Sequence, residues 1–183
     1  MTDYRLDVLA ELKSSLTGID LAQAEQFVQE ICSAKKIFCD GLGRSGLAMR
    51  GFAMRMEQMG LRSVLVGEAT APAFEEGDIL IICSGSGASP TLLYHAKKAK
   101  AYGGKVLLIT GRQESELAKL ADKVLLIEAP DKDRAGQGKA SIQPMATLFE
   151  QTSNLICDII SLNLMDELKI SSEEMRKYHA NIE

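Results

Sequence analysis

Short apolar runs alternate with helix-like segments along the middle of the chain. Five of these runs are continuous rather than alternating in polarity, which is typical of strands that are covered on both faces. They are Lys36–Asp40, Ser63–Gly67, Asp78–Cys83, Lys105–Thr110 and Lys123–Glu128. The segments with helical spacing between them are Ser45–Met59, Pro90–Tyr102 and Glu114–Ala121. The pattern predicts an α/β protein in which a five-stranded parallel sheet is sandwiched by helices.

Helical spacing also marks both ends of the chain. The first 34 residues predict two helices, and the second of them begins after Asp20, with Gln23 placed to complete a capping box. Pro144 is predicted to open a long helix that runs to about Met165, with an apolar face broad enough to pack on another subunit as well as on the sheet. We expect a single domain, with N-terminal helices at 1–34, an α/β core at 35–165 and a tail at 166–183.

Length and charge narrow the classes of protein to consider. A chain of 183 residues can bury a full core, and a net charge of −4 without a Lys/Arg stripe argues against a nucleic-acid partner. No apolar run approaches the length of a membrane span, and the acidic N-terminus lacks the apolar segment of a signal peptide. We therefore expect a cytoplasmic protein without a membrane partner.

The cysteines and histidines give little sign of metal chemistry. The four cysteines, Cys32, Cys39, Cys83 and Cys157, show no C-x-x-C spacing and lie mostly in apolar patterns, where a free cysteine packs as a small hydrophobic residue. Cys83 adjoins a polar loop and is a candidate for reactivity by position alone. The two histidines lack the spacing to carboxylates that a metal site needs, so no metal is expected.

Two loops rich in glycine and hydroxyl residues follow predicted strands. One is Ser84-Gly85-Ser86-Gly87-Ala88-Ser89, ahead of a helix, and the other is Gly41-Leu42-Gly43-Arg44-Ser45-Gly46. In a flavodoxin-like strand order, 2-1-3-4-5, the two strands are neighbours at the point where ligands settle. Backbone N–H groups and hydroxyls at a helix N-terminus suit a phosphate. Serines in such turns also bond local backbone, and Arg44 is either a phosphate clamp or a solvated side chain.

The earlier loop also fits a dinucleotide-binding pattern. It reads G-x-G-x-x-G between a strand and a helix, and Glu68 near the end of the second strand suits a ribose-binding acid. Two features count against this interpretation. Little chain remains for a substrate domain, and the pattern leaves the second loop unexplained.

Of three titratable residues outside the loops, Glu150 and His179 have two interpretations each. Glu150 is either a general base partly buried beside Phe149 or an exposed helix glutamate. His179 is either part of a frayed tail or a group docked into a site. His95, inside a lysine-rich helix, is expected on the solvated surface.

The polar stretch at 129–143 is either a solvated loop or a mobile lid.

Several of these segments together resemble the sugar isomerase (SIS) domain family. They are Gly43-Arg44-Ser45-Gly46, Phe52-Ala53-Met54-Arg55 and the Ser-Gly-Ser-Gly loop. The segments Gln143-Pro144-Met145 and Thr147-Leu148-Phe149-Glu150, with the ending His179-Ala180-Asn181-Ile182-Glu183, are similar to the 6-phospho-3-hexuloisomerase branch of that family. The similarity covers essentially the whole chain.

The resemblance implies a five-stranded parallel sheet, a homotetramer and a reaction without cofactor or metal. The implied reaction interconverts D-arabino-hex-3-ulose 6-phosphate and fructose 6-phosphate through an enediol, the step after formaldehyde fixation in the ribulose monophosphate pathway. Carried over by position, Glu150 is the proton acceptor, and His179 is a ring-opening or proton-shuttling residue in a neighbouring site. The resemblance also implies that Ser45 contacts the substrate and that Ser84, Gly85, Ser86, Gly87 and Ser89 hold the phosphate. We add Arg44 and Ala88 from the two loops to the candidate binding residues.

One position departs from the family's pattern. The family's loop usually continues Gly-Glu-Thr, whereas this chain has Gly87-Ala88-Ser89. Ser89 keeps a hydroxyl, but Ala88 removes a charge at the rim of the site. An isomerase of another sugar phosphate and a non-catalytic module that senses a phosphosugar therefore remain alternatives.

Overall fold

The computed structural model describes residues 2–129 and 141–182 as an α/β fold that starts with two helices, α1 (Arg5–Thr17) and α2 (Leu21–Ser33). Strands and helices then alternate. They are β1 (Ile37–Gly41), α3 (Gly43–Gln58), β2 (Ser63–Leu65), β3 (Ile79–Ser84), α4 (Pro90–Ala101), β4 (Lys105–Thr110), α5 (Glu116–Leu120) and β5 (Lys123–Leu126). The chain ends with α6 (Thr147–Leu168), α7 (Ser172–Met175) and a 3₁₀ turn (Arg176–Tyr178).

The five strands form one parallel sheet in the order β2-β1-β3-β4-β5, as the sequence predicts. β1 and β3 are neighbours although a helix and β2 lie between them in the chain. Their register places Gly41 opposite Cys83, so both strands end at the same level. Their following loops therefore meet at one edge of the sheet, which is the usual ligand position in this topology.

Both faces of the sheet are covered, which explains the continuous apolar runs. One face packs against α2, α3 and α6 through side chains such as Phe27, Phe52 and Phe149. The other face packs against α4 and α5 through Leu92 and Leu117. Burial on two sides removes the polar alternation that a half-exposed strand would show.

Two local predictions at helix starts are wrong. Met145 has a positive φ of 59°, so the long helix begins at Thr147 rather than at Pro144. Asp20 does cap α2, but through the N–H of Ala22, and the side chain of Gln23 is used elsewhere, since its Oε1 accepts a hydrogen bond from a backbone N–H of β5.

Two further points concern the segment before α6 and the character of the helices. The loop or lid predicted at 129–143 lies largely outside the described residues. Among residues 2–129 and 141–182, no helix combines the length and the apolar character needed to cross a membrane.

Candidate active site

A cleft opens where β1 and β3 end. Its cavity of about 350 Å³ is of the size that binds small ligands. The two glycine-rich loops supply one part of the wall, and the start of α6 supplies the other. The lining residues are Leu42, Gly43, Arg44, Ser45, Cys83, Ser84, Gly85, Ser86, Ser89, Leu92, Met145, Ala146, Phe149 and Glu150. The structure thus brings both predicted loops and the predicted base to one cavity.

The loop after β3 is held by its own hydroxyls. The Oγ of Ser84 accepts a hydrogen bond from the N–H of Gly87 at 3.2 Å, and the Oγ of Ser86 accepts one from the N–H of Ala88 at 3.4 Å. Both alternatives weighed for the serines are therefore compatible, because a hydroxyl that accepts still has its own hydrogen to donate. The loop is rigidified locally while each O–H remains a donor for an anion.

Gly87 shapes the turn that lets this loop fold back. Its φ of 61° lies in the left-handed region, and a Cβ at this position would collide with the side chain of Ser115. Gly87 is buried and Ala88 is exposed. Neither residue lines the cavity, so the structure places both predicted contacts outside the cleft. Ser89 is the N-cap residue of α4, but its side chain does not cap the helix and lines the cavity instead.

The first loop places Ser45 and Arg44 on the opposite wall. Ser45 is buried in the first turn of α3, whereas the side chain of Arg44 is 56% exposed. The N-termini of α3 and α4 therefore face the same cavity, and the partial positive charge of each favours a bound anion.

Glu150 and Arg44 form an ion pair across the cleft. The Nε of Arg44 lies 2.7 Å from the Oε2 of Glu150, and the carboxylate side chain is only 19% exposed. Because α6 begins at Thr147, Glu150 occupies the first turn of that helix. Arg44 thus contacts a side chain that the sequence analysis did not pair with it.

Phe149 fixes the position of Glu150 beside the serine loop. Its ring packs against Gly85, where an added Cβ would lie 3.2 Å from a ring carbon. Gly85 is in turn tied to β4, because its carbonyl accepts a hydrogen bond from the N–H of Gly111. A side chain at position 85 would push α6 away from the loop. The absence of a side chain at Gly85 and the aromatic residue before Glu150 were the sequence signals for this contact.

A second cavity, of about 570 Å³, lies on the other side of the ion pair. It shares Arg44 and Glu150 with the first cavity, and its remaining lining is Leu12, Leu47, Ala48, Gln151, Asn154 and Leu155. Leu47 is 65% exposed on the outer face of α3. The Arg44–Glu150 pair is therefore shared by the walls of two cavities.

Glu11 anchors the segment that leads into α6. Its carboxylate accepts hydrogen bonds from Ser141 Oγ, Ile142 N and Gln143 Nε2. Burial raises the pKa of Glu11, but these three hydrogen bonds outweigh it, so that the pKa lies below its ordinary value. The anchor precedes Met145 and Ala146, which line the cleft, and no local pattern in the sequence indicates it.

Two residues singled out from sequence lie outside the cleft. Tyr178 packs on Gly60, just beyond the C-terminal end of α3, so the neighbouring His179 lies at the opposite end of that helix from Arg44. At 1.5 Å per residue, this separation is about 20 Å. Glu68 forms an ion pair with Arg50 at 2.9 Å on the surface and does not line the cavity.

His95 is not the solvated side chain that its lysine-rich helix suggested. Its Nδ1 lies 2.7 Å from the Oδ2 of Asp40, and the side chains are 28% and 9% exposed. The expectation was wrong because Asp40, the partner that holds His95, lies 55 residues away and left no local signal.

The thiol next to the serine loop is not placed for reaction. Burial raises the pKa of Cys83 to about 11, although hydrogen bonds with Ser153 and Ser45 oppose the shift. A thiolate is the reactive form, so burial makes Cys83 inert near neutral pH. In the described part of the chain, 2–129 and 141–182, no group of three or more His, Cys, Asp or Glu residues could hold a metal ion.

Comparison with known proteins adds independent findings. The model of the SIS domain family matches residues 30–155. A 3-hexulose-6-phosphate isomerase from Bacillus subtilis is 41% identical over 182 residues, which cover 100% of this chain and 98% of that protein. A 3-hexulose-6-phosphate isomerase from Methylomonas aminofaciens is 32% identical over 183 residues, with 100% of both chains covered.

A solved structure shows the same arrangement of elements. The crystal structure of a hypothetical protein from Methanococcus jannaschii, described as inferring a function of 3-hexulose-6-phosphate isomerase, has a TM-score of 0.82 to this chain. The two are 32% identical, and the match covers 97% of this chain and 96% of that one. The likeness therefore includes the N-terminal helices and the tail as well as the sheet.

Proposed function

The chain belongs to the SIS domain family, and we propose that it is a sugar phosphate isomerase interconverting D-arabino-hex-3-ulose 6-phosphate and fructose 6-phosphate. The observation that carries the proposal is the shared cavity, in which a carboxylate, Glu150, faces a loop of hydroxyls at a helix N-terminus. The full-length relatives named for this activity support the choice of substrate.

The serine loop binds the phosphate group in this proposal. Ser84, Ser86 and Ser89 donate their hydroxyl hydrogens to phosphate oxygens, and the backbone of Gly85 and the positive end of α4 add to the attraction. Ala88 is exposed outside the cavity wall, so the absence of the family's usual acid leaves this end of the site intact. Anchoring the phosphate positions the reacting carbons by means of a group remote from the chemistry.

Glu150 is the base. Moving a carbonyl from C3 to C2 requires that a proton leaves C2 and that one returns to C3 of a cis-enediol, and a single carboxylate on one face of the sugar can perform both transfers. Such general-base catalysis contributes about 10²- to 10⁴-fold. Arg44, which contacts the carboxylate in the free protein, and Ser45 supply donors for the developing enediolate oxygen.

The direct test uses fructose 6-phosphate and deuterated water. Each passage through the enediol removes the C3 proton of fructose 6-phosphate, so we expect the C3 proton signal to disappear in the NMR spectrum while the 3-ketose appears. A protein that binds fructose 6-phosphate without exchange or conversion would be a phosphosugar sensor. Exchange with a pentose or heptulose phosphate, and none with fructose 6-phosphate, would identify a different substrate.

We propose further that the chain works as a homotetramer in which His179 serves the site of a neighbouring copy. Two features support this. His179 lies about 20 Å from Arg44 within its own chain, and large apolar side chains are exposed on the outer helices. They include Leu6, Leu9, Leu47, Met54 and Leu162. Exposed apolar surface of this kind marks protein interfaces.

Mixing two inactive variants tests the shared site. Glu150→Gln lacks the base and His179→Ala lacks the histidine, so each alone should be inactive. After joint unfolding and refolding, some sites combine an intact Glu150 with an intact His179 from another copy, and activity should return. No recovery in assemblies that light scattering shows to be mixed tetramers would refute the shared site.

The remaining assignments are proposals of the same kind. We place the reaction in the ribulose monophosphate pathway, after formaldehyde fixation, and the protein in the cytoplasm. Their support is the relatives named 3-hexulose-6-phosphate isomerase. Growth on formaldehyde-generating substrates with the gene deleted tests the pathway, and cell fractionation tests the location.

A further inference from the structure

A hydrogen bond between Asp40 and His95 connects β1 and α4, the two elements that adjoin the loops of the cleft. Asp40 is the last residue but one of β1, whose end leads directly into the loop with Arg44. His95 lies in the second turn of α4, the helix that starts at the end of the serine loop. We propose that these two side chains form a clamp that fixes the spacing of the two loops, and that both are positioning residues for the bound phosphate. The proposal rests on the proposed function only for the choice of ligand.

The clamp crosses the junction between β1 and β3. In the parallel register Asp40 stands opposite Ile82, and the neighbouring Phe38 packs in the core on the α4 side of the sheet. Because side chains two apart in a strand share a face, Asp40 points toward α4 as well. The contact with His95 therefore adds a polar link between the first strand and α4, whose apolar side chains already share a cluster with Phe38.

One carboxylate holds both sides of the cleft. The Oδ2 of Asp40 binds His95 Nδ1 at 2.7 Å, and its Oδ1 accepts the backbone N–H of Gly41 at 2.8 Å. The bond to Gly41 orients the peptide that leads into the loop with Arg44, while the bond to His95 holds α4. A short, charge-assisted hydrogen bond at a side chain that is 9% exposed is shielded from competing water.

The distance between the two loops affects ligand binding, because the proposed contacts come from both. Ser45 and Arg44 come from the β1 side, whereas Ser84, Ser86 and Ser89 come from the β3 and α4 side. A ligand that contacts both walls loses part of its contacts if the walls shift, and each lost hydrogen bond to its charged phosphate weakens binding. Loss of the clamp should therefore weaken the binding of phosphosugar more than it slows the proton transfer at Glu150.

Variants at position 95 separate the clamp from simple packing. His95→Leu fills similar space but cannot donate a hydrogen bond. His95→Asn places an amide N–H close to where the imidazole has Nδ1–H, so it can restore the bond to Asp40. Asp40→Ala and the double variant Asp40→Ala/His95→Leu complete a cycle that isolates the interaction between the two residues.

Lys100 provides a matched control on the same helix. Its Nζ binds Asp122 at 2.5 Å near the C-terminal end of α4, far from the serine loop. Lys100→Ala therefore removes another polar tie of α4 without touching the cleft. Any general loosening of the helix would appear in this variant, whereas a loss specific to the spacing of the loops would not.

The measurements are the Kd of fructose 6-phosphate by calorimetry, the kcat of isomerisation and the midpoint of thermal unfolding. We expect His95→Leu to raise the Kd roughly tenfold with less than about twofold loss of kcat, since one hydrogen bond to a charged group is removed. His95→Asn should recover most of the affinity, the double variant should bind no worse than either single variant, and Lys100→Ala should bind normally.

Other results overturn the clamp. Wild-type affinity in His95→Leu would refute it, and so would an equal loss in Lys100→Ala. A loss in His95→Leu that His95→Asn does not restore would assign His95 to packing alone. A wild-type protein that binds no sugar phosphate would overturn the proposed function together with the clamp, whereas isomerisation by the wild type together with an unchanged Kd in His95→Leu would overturn only the clamp.

Discussion

Replacing Glu150 with glutamine keeps the size of the side chain but removes its ability to accept a proton. If Glu150 is the base, kcat should fall about 10²- to 10⁴-fold. The serine loop that holds the phosphate is untouched, so the Kd of fructose 6-phosphate should stay close to that of the wild type. Glu150→Asp keeps the carboxylate but withdraws it by one carbon, a misplacement that should still cost about 10²-fold in kcat.

Glu150→Gln also breaks the ion pair with Arg44, and the exposure of that pair limits how much stability is lost. Arg44 is 56% exposed, so the pair is partly screened by solvent and is worth at most about 1 kcal/mol. For a chain of 183 residues, that corresponds to a fall in Tm of no more than about 4 °C. A large loss of activity therefore cannot come from unfolding.

Glu68→Gln is the matched control. It removes an ion pair with Arg50 at 2.9 Å, also on α3 but outside the cleft, so it should change Tm by a similar amount and leave kcat unchanged. The assay is conversion of the 3-ketose to fructose 6-phosphate, coupled to its oxidation. Glu150→Gln with the kcat of the wild type would refute the assignment of the base.

Three further outcomes follow from single contacts. Ser84→Ala and Ser86→Ala should each raise the KM roughly tenfold or more with kcat little changed, because each removes a donor to a charged phosphate, and steady-state kinetics checks this. An alkylating reagent at pH 8 should label only Cys32 in the native protein, and all four cysteines in urea, by mass spectrometry. The pKa of Glu11 is lowered on folding, so its stabilising effect is present above pH 4.5 and disappears as the pH falls through the folded pKa; the Tm gap between wild type and Glu11→Gln should close there.

The sequence predicts the layers of this fold well because local pattern determines them. Continuous apolar runs identify the strands, and the glycine-rich loops after β1 and β3 identify the edge of the sheet where a ligand would bind. Both features can be recognised from residues that are neighbours in the sequence. The bounds of the elements shift by a few residues, as at Thr147, where the positive φ of Met145 delays the helix.

Pairings between distant residues were not readable from the sequence. Asp40 and His95 lie 55 residues apart, and Glu11 meets Gln143 across 132 residues, so neither contact leaves a periodic signal. The end of α3 on which the tail docks is equally hidden, because the packing of Tyr178 on Gly60 depends on the assembled fold. Long-range hydrogen bonds thus explain most of what the sequence missed in the site.

A crystal structure of the protein with fructose 6-phosphate bound would locate both the phosphate and the base relative to the sugar. We expect phosphate oxygens within hydrogen-bond distance of the hydroxyls of Ser84, Ser86 and Ser89, and a Glu150 oxygen within about 3.5 Å of C2 or C3. A phosphate bound elsewhere, or a Glu150 carboxylate turned away from the sugar in every copy, would contradict it.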